Sequence, residues 1–131
     1  MILNLVFYIS LLFGSPNTPV ELDCDRFKEG TFQDFDANKK IRPIIVVRED
    51  SKQVEYNTEH QRTHELRFTW TGSCSYYLEL IPNSENMDSP YLGKKLFVKI
   101  LKVEGDMYKY TANFKDSKKS DAAIGWLKKI K

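Results

Sequence analysis

The sequence predicts an all-β protein: a single antiparallel up-and-down meander of about eight strands, closed into a small barrel. Three observations carry this. Apolar and polar residues alternate with a period of two along almost everything after residue 26. Turn-forming clusters separate the alternating runs at hairpin spacing. No ten-residue stretch has convincing helical periodicity. Closing such strands into a barrel removes their exposed edges. A partly open barrel or a two-sheet sandwich is the alternative.

The strands are expected at 27–34, 43–49, 52–58, 64–71, 74–81, 95–103, 107–115 and 122–130. Leu66, Phe68 and Trp70 share one face of the fourth, with Arg67, Thr69 and Thr71 on the other. After the Thr71-Gly72-Ser73 turn, Cys74, Tyr76, Leu78 and Leu80 alternate with Ser75, Tyr77, Glu79 and Ile81. A second hairpin turns at Glu104-Gly105-Asp106, and Tyr108, Tyr110, Ala112 and Phe114 line one face of its second strand. Pro43 cannot donate to a ladder and belongs at the beginning of its strand. The one long connection is 82–93, rich in residues that favour turns.

The first 20 of the 131 residues carry no charged side chain. Met1 to Phe13 is apolar apart from Asn4 and Ser10, too short to span a bilayer, which needs about 20 residues. It matches the apolar region of a secretory signal, with small residues at Gly14 and Ser15. Residues 1–15 are therefore expected to be a signal peptide and 16–131 a single β-barrel domain, exported to the periplasm or beyond the cell. Glu21 and Asp23 lie close before Cys24, unlike a lipoprotein box, so no stable membrane anchor is expected. In an exported chain the two cysteines, Cys24 and Cys74, are expected to form a disulfide. Closing that loop stabilises the fold by roughly 4 kcal/mol in the chain-entropy model. In a meander the first and fifth strands start at the same end, which suits this pairing.

Little in the chain points to chemistry. His60 and His64 are four apart, but in extended chain that spacing separates them by about 13 Å, and Gln61 stands where a zincin has glutamate. A solvated connection is the better reading, so no metal site is expected. There is no Gly-x-Ser-x-Gly elbow and no phosphate-binding glycine loop. The acidic pairs Glu49-Asp50 and Asp34/Asp36 fall at strand ends and loops, where solvated carboxylates are ordinary. No catalytic residue and no cofactor is expected, and the protein reads as a non-enzyme.

Charge is unevenly placed. Residues 21–93 hold nine basic and fourteen acidic side chains, a balance of −5, and residues 94–131 hold eleven lysines and four acids, a balance of +7. The lysines alternate with apolar residues as outward strand positions do. No arginine follows Arg67, and the net charge is only +2, so nucleic-acid binding is not expected.

Arg48, Gln53 and Glu55 form a polar set on the second and third strands. If this face points inward, Arg48 and Glu55 can form a buried, hydrogen-bonded pair. If outward, they are a surface pair of small consequence. Val54 and Tyr56 occupy the opposite face and, being apolar, look more like the core.

Cys24-x-x-Phe27-Lys28-x-Gly30-x-Phe32, Arg48 with Gln53-x-Glu55, Trp70 and Cys74-x-Tyr76-x-Leu78 together resemble the pattern of a family of small exported Bacteroidota proteins. The resemblance covers most of the mature chain and implies export rather than a particular activity. Some members carry a topoisomerase IV label, for whose gyrase-type catalytic domains a chain of this length has no room. Gly30-Thr31-Phe32 is also similar to the Gly-x-Trp signature of lipocalins, with Phe32 in place of tryptophan and no counterpart of the lipocalin C-terminal helix. This lipocalin-like look supports architecture better than ligand binding.

Two function classes follow. One is a lipocalin-like carrier or sensor of a small apolar ligand. The other is an interaction or structural module whose interior is filled by its own bulky side chains, Tyr76, Tyr108, Tyr110, Phe114, Trp70 and Trp126. For a carrier, strand parity puts the mouth opposite the disulfide, ringed by connections 35–42, 59–63, 82–93 and 116–121. Tyr56, Leu66, Leu80, Leu96 and Phe114 are the inward candidates for ligand contact there. Arg48 and Gln53 lie at the closed end, in a structural role.

Overall fold

The computed structural model describes residues 22–115, 117–118 and 121–131. The expected signal segment and its cleavage point lie outside the described residues. Eight strands follow in chain order: β1 Gly30–Asp36, β2 Ile41–Glu49, β3 Lys52–Asn57, β4 Arg62–Gly72, β5 Ser75–Leu80, β6 Lys95–Glu104, β7 Met107–Phe114 and β8 Ala123–Lys129. Each pairs antiparallel with the next, and β8 returns to β1, Asp34 lying opposite Leu127, so the sheet is a closed barrel. The partly open and sandwich alternatives are excluded by that last pairing.

β1 begins at Gly30 rather than at residue 27, because the chain first makes a 3₁₀ turn at Asp25–Phe27. Cys24, immediately before this turn, is bonded to Cys74 in the β4–β5 turn, with their Cα atoms 5.4 Å apart. The turn carries the fully buried Phe27 into the barrel's end. Arg26 holds the same segment to the β6–β7 turn by donating to the Gly105 carbonyl and pairing with Asp106. Lys129 Nζ donates to the Arg26 carbonyl at 2.6 Å. Gly30 then turns the chain into β1 with φ +131°, and a Cβ there would meet the Lys131 carbonyl oxygen at 2.7 Å. Only glycine fits that corner.

Alternation places Phe32, Val46, Phe68, Tyr76, Leu78, Val98, Ile100, Tyr108, Ala112 and Leu127 in the buried core. Strand β6 changes phase on the way. A register shift between Ile100 and Lys102 leaves Leu101 exposed and brings Val103, rather than Lys102, against the core. The β6–β8 lysines Lys95, Lys99, Lys102 and Lys128 are exposed, as a solvated outer face requires. Among the described residues no helix is long and apolar enough to cross a membrane.

Strand β3 corrects the sequence reading. Gln53 is buried and Tyr56 is 43% exposed, so the polar set faces inward and Tyr56 lies on the outer face with Val54. The Asp50–Ser51 turn is the cause. It pairs Glu49 with Lys52 and hence Arg48 with Gln53, which share a face because they lie directly opposite.

Candidate functional site

The barrel interior has two halves of different character. The half nearest the disulfide is filled. Arg48 is 2% exposed and spends its guanidinium on four neutral acceptors. Nε donates to Gln53 Oε1 at 2.8 Å, Nη1 to the Phe27 carbonyl at 3.0 Å, and Nη2 to the Tyr76 and Tyr108 hydroxyls at 2.7 and 2.6 Å. The two hydroxyls are 2.8 Å from each other. The rings of Phe32, Phe68 and Tyr76 lie 4.7–4.8 Å from the guanidinium carbon, so the cation is solvated by π faces as well as by oxygen. Burial pushes the Tyr108 hydroxyl well above its ordinary pKa, keeping it protonated. Arg48 does not touch Glu55 directly. Gln53 stands between them, its amide nitrogen 3.3 Å from Glu55 Oε1.

Above this plug the interior opens. An inner chamber of about 150 Å³ is walled by apolar residues including Val46, Leu78, Val98 and Leu127, with Asp34, Gln53, Glu55, Tyr76 and Tyr110 as its polar lining. Against it lies a mouth pocket of about 320 Å³, lined by Leu66, Leu78, Leu80, Leu96 and Phe114 and by Tyr91 of the long connection. Glu55, Leu78 and Leu96 line both spaces, which places Glu55 at their junction. The apolar wall is a run of cross-strand neighbours: Leu66 opposite Leu80, Leu78 opposite Leu96, and Leu96 opposite Phe114. Tyr91 stacks on Phe114 with ring centroids 5.4 Å apart. Asn86 anchors the connection by donating to the Ile81 carbonyl and accepting from the Asn83 backbone N–H. His64 and Lys94 also line the mouth pocket, and both are exposed.

Asp34 was expected to be solvated and is not. It is 5% exposed, on the inward face with Phe32. Its Oδ1 accepts from the Tyr110 hydroxyl at 2.9 Å, and its Oδ2 lies 3.5 Å from Arg42 Nη1. Burial pushes this carboxyl above its ordinary pKa, against the pull of Tyr110 and Arg42. Burial likewise raises Glu55, and the charge of Asp34 adds to the rise. Glu55's remaining exposure is to the cavity it lines. Tyr110 is also pushed upward, first by burial and then by Asp34, and stays a donor. Its ring leans over Gly125, its partner on β8, where a Cβ would meet the hydroxyl oxygen at 2.5 Å. The glycine thus makes room for the tyrosine that holds Asp34.

Of the residues singled out for ligand contact, Leu66, Leu80, Leu96 and Phe114 line the mouth pocket at the end opposite the disulfide. Tyr56 does not, since its side chain is on the outer face. Sequence reasoning missed Asp34 and Tyr91, and placed Tyr110 on one face with Tyr108 without giving it a partner. Period-two alternation from Phe32 was the available signal for Asp34. Among the described residues no group of three or more His, Cys, Asp or Glu side chains is placed to hold a metal ion.

The geometry defines a closed eight-stranded up-and-down barrel with a plugged end and an open, apolar-walled end. Comparison with protein-family models, curated proteins and solved structures finds no match to the chain.

Proposed function

We propose that this is an exported, non-enzymatic binding protein, a carrier or sensor that takes a small, largely apolar ligand through the mouth of its barrel. The observation that carries this reading is the mouth pocket of about 320 Å³ with its wall of Leu66, Leu78, Leu80, Leu96 and Phe114. That size reaches the lower end of the range for ligand sites, about 300 Å³, and the inner chamber lies directly against it. Export rests on the apolar leader and on the Cys24–Cys74 disulfide, which persists in oxidising compartments.

Binding is tested by isothermal titration of a panel of medium-chain alcohols, isoprenoids and aromatic compounds, alongside a Leu96→Arg variant. Saturable binding that the variant loses supports the reading. Intrinsic tryptophan fluorescence is a poor probe here. Trp70 packs at the plugged end against Phe68 and Tyr76, and Trp126 lies on the outer face under Lys39. A second reading, an interaction or structural module, is favoured by the filled half around Arg48. It becomes the better one if no compound in the panel binds.

A further inference from the structure

The polar capacity left open in the inner chamber is mainly of one kind. Most side-chain donors facing it are engaged, the exceptions being one N–H of the Gln53 amide and one hydroxyl proton of the Tyr76–Tyr108 pair. The Gln53 amide points to Glu55, the Tyr110 hydroxyl donates to Asp34, and the Tyr76 hydroxyl is held in the cluster with Tyr108 and Arg48. Otherwise what remains are acceptors. A carboxylate has room for about four donors. Glu55 receives one long hydrogen bond on Oε1, and its Oε2 has no partner among the described residues. Asp34 faces the same space with one hydroxyl donor and a single 3.5 Å contact to a half-buried arginine. Two carboxyls lining one small space, with Arg42 reaching Asp34 only at 3.5 Å and Gln53 standing between Glu55 and Arg48, form a poor environment for each other's charge.

Resting on the binding reading above, we propose that the chamber selects the ligand's head group: it takes a protonated amine, placed between Glu55 and Asp34, while the ligand's apolar body lies in the mouth pocket among Leu66, Leu80, Leu96 and Phe114. The ligand class is then a lipophilic primary amine, not a fatty acid. An ammonium brings three donors to a site whose open capacity is mostly carboxylate acceptors. It also brings a positive charge to Glu55, which has no ion-pair partner among the described residues, and a second one to Asp34, whose only cation among them is Arg42 at 3.5 Å. A carboxylate head would meet Glu55 and Asp34 head-on. Its one favourable placement is reversed, at the rim beside His64 and Lys94, both of them exposed. Burial holds Glu55 and Asp34 more protonated than ordinary carboxyls, the charge of Asp34 adds to this at Glu55, and an ammonium between them reverses it. Amine uptake therefore expels protons, and an alcohol's does not.

The test compares decylamine, decanol and decanoate, matched in chain and different in head, by titration calorimetry on the disulfide-bonded protein. Decylamine is expected to bind about tenfold or more tighter than decanol, the order of a charge-assisted hydrogen bond. Decanoate is expected to be the weakest. The amine's binding enthalpy should vary with the ionisation enthalpy of the buffer, reporting proton release. Glu55→Gln, nearly isosteric, should remove the preference for the amine over decanol, and Asp34→Asn is the second variant. Decanol binding with no advantage for the amine, or tightest binding of decanoate, overturns the head-group assignment and leaves the cavity reading standing. Failure of all three to bind overturns both.

Discussion

Replacing Arg48 by methionine removes the cation and keeps most of the apolar stem, so the cost can be read from what is left behind. Four hydrogen bonds are lost, but the Tyr76 and Tyr108 hydroxyls retain each other at 2.8 Å. The groups left without a donor are the Phe27 carbonyl and Gln53 Oε1, both on buried residues. Each unsatisfied buried acceptor costs about 1–3 kcal/mol. Against this, the variant no longer buries an ion, which returns part of the loss. The expected net destabilisation is about 2–4 kcal/mol, measured by urea unfolding followed in near-ultraviolet circular dichroism. With a typical slope for a small domain, the midpoint falls by about 1–2 M. Arg48→Lys should recover only part of it, because a point-like ammonium cannot reach four dispersed acceptors. A methionine variant as stable as the parent, or more so, would refute the argument that the guanidinium organises the plug.

Replacing both cysteines with serine should lower stability by about 2–5 kcal/mol while far-ultraviolet circular dichroism keeps the strand signal; two free thiols titrated in the native, unreduced protein would contradict the pairing. Stability of the ligand-free protein should fall as pH rises from about 4.5 through the raised folded-state values of Asp34 and Glu55, because the folded form then holds protons that the unfolded chain has released. Thermal melts should thus rise on acidification from neutral pH, and Glu55→Gln should flatten the slope. On the acid side the sign reverses: Glu104, drawn down to about 2 by Lys102 and Lys39, adds stability that is lost as pH falls below its unfolded value toward that figure. Gly125→Ala should destabilise the barrel by about 1–3 kcal/mol by displacing the Tyr110 ring from its seat, and a denaturant midpoint unchanged from the parent would show that the seat is not needed.

The architecture was legible because a barrel whose strands bury one face writes a period of two into every strand. Most of its turns are short, which favours pairing of successive strands. What was not legible was the phase of a strand whose two faces are both apolar. Ile44, Ile45, Val46 and Val47 give β2 no distinguishable sides, so neither Arg48 nor its partner Gln53 could be assigned inward from hydropathy. Tyr56 then looked like core and Glu55 like surface, and the register inverts both. Asp34 was lost differently, since its neighbour Asp36 ends β1, accepts from the backbone of the β1–β2 turn and made the pair look like one acidic loop. The long connection has no periodicity to show that Tyr91 returns to stack on Phe114. Polar residues in a barrel's interior violate the rule that reads the rest, and here they mark the candidate site.

Binding at the mouth is tested most directly by methyl nuclear magnetic resonance of leucine-labelled protein titrated with decylamine and decanol. The account predicts saturable shifts at Leu66, Leu78, Leu80 and Leu96, with Leu101 on the outer surface unmoved. Shifts confined to Leu101 and other outer positions, or no saturable shift with either compound, would contradict it.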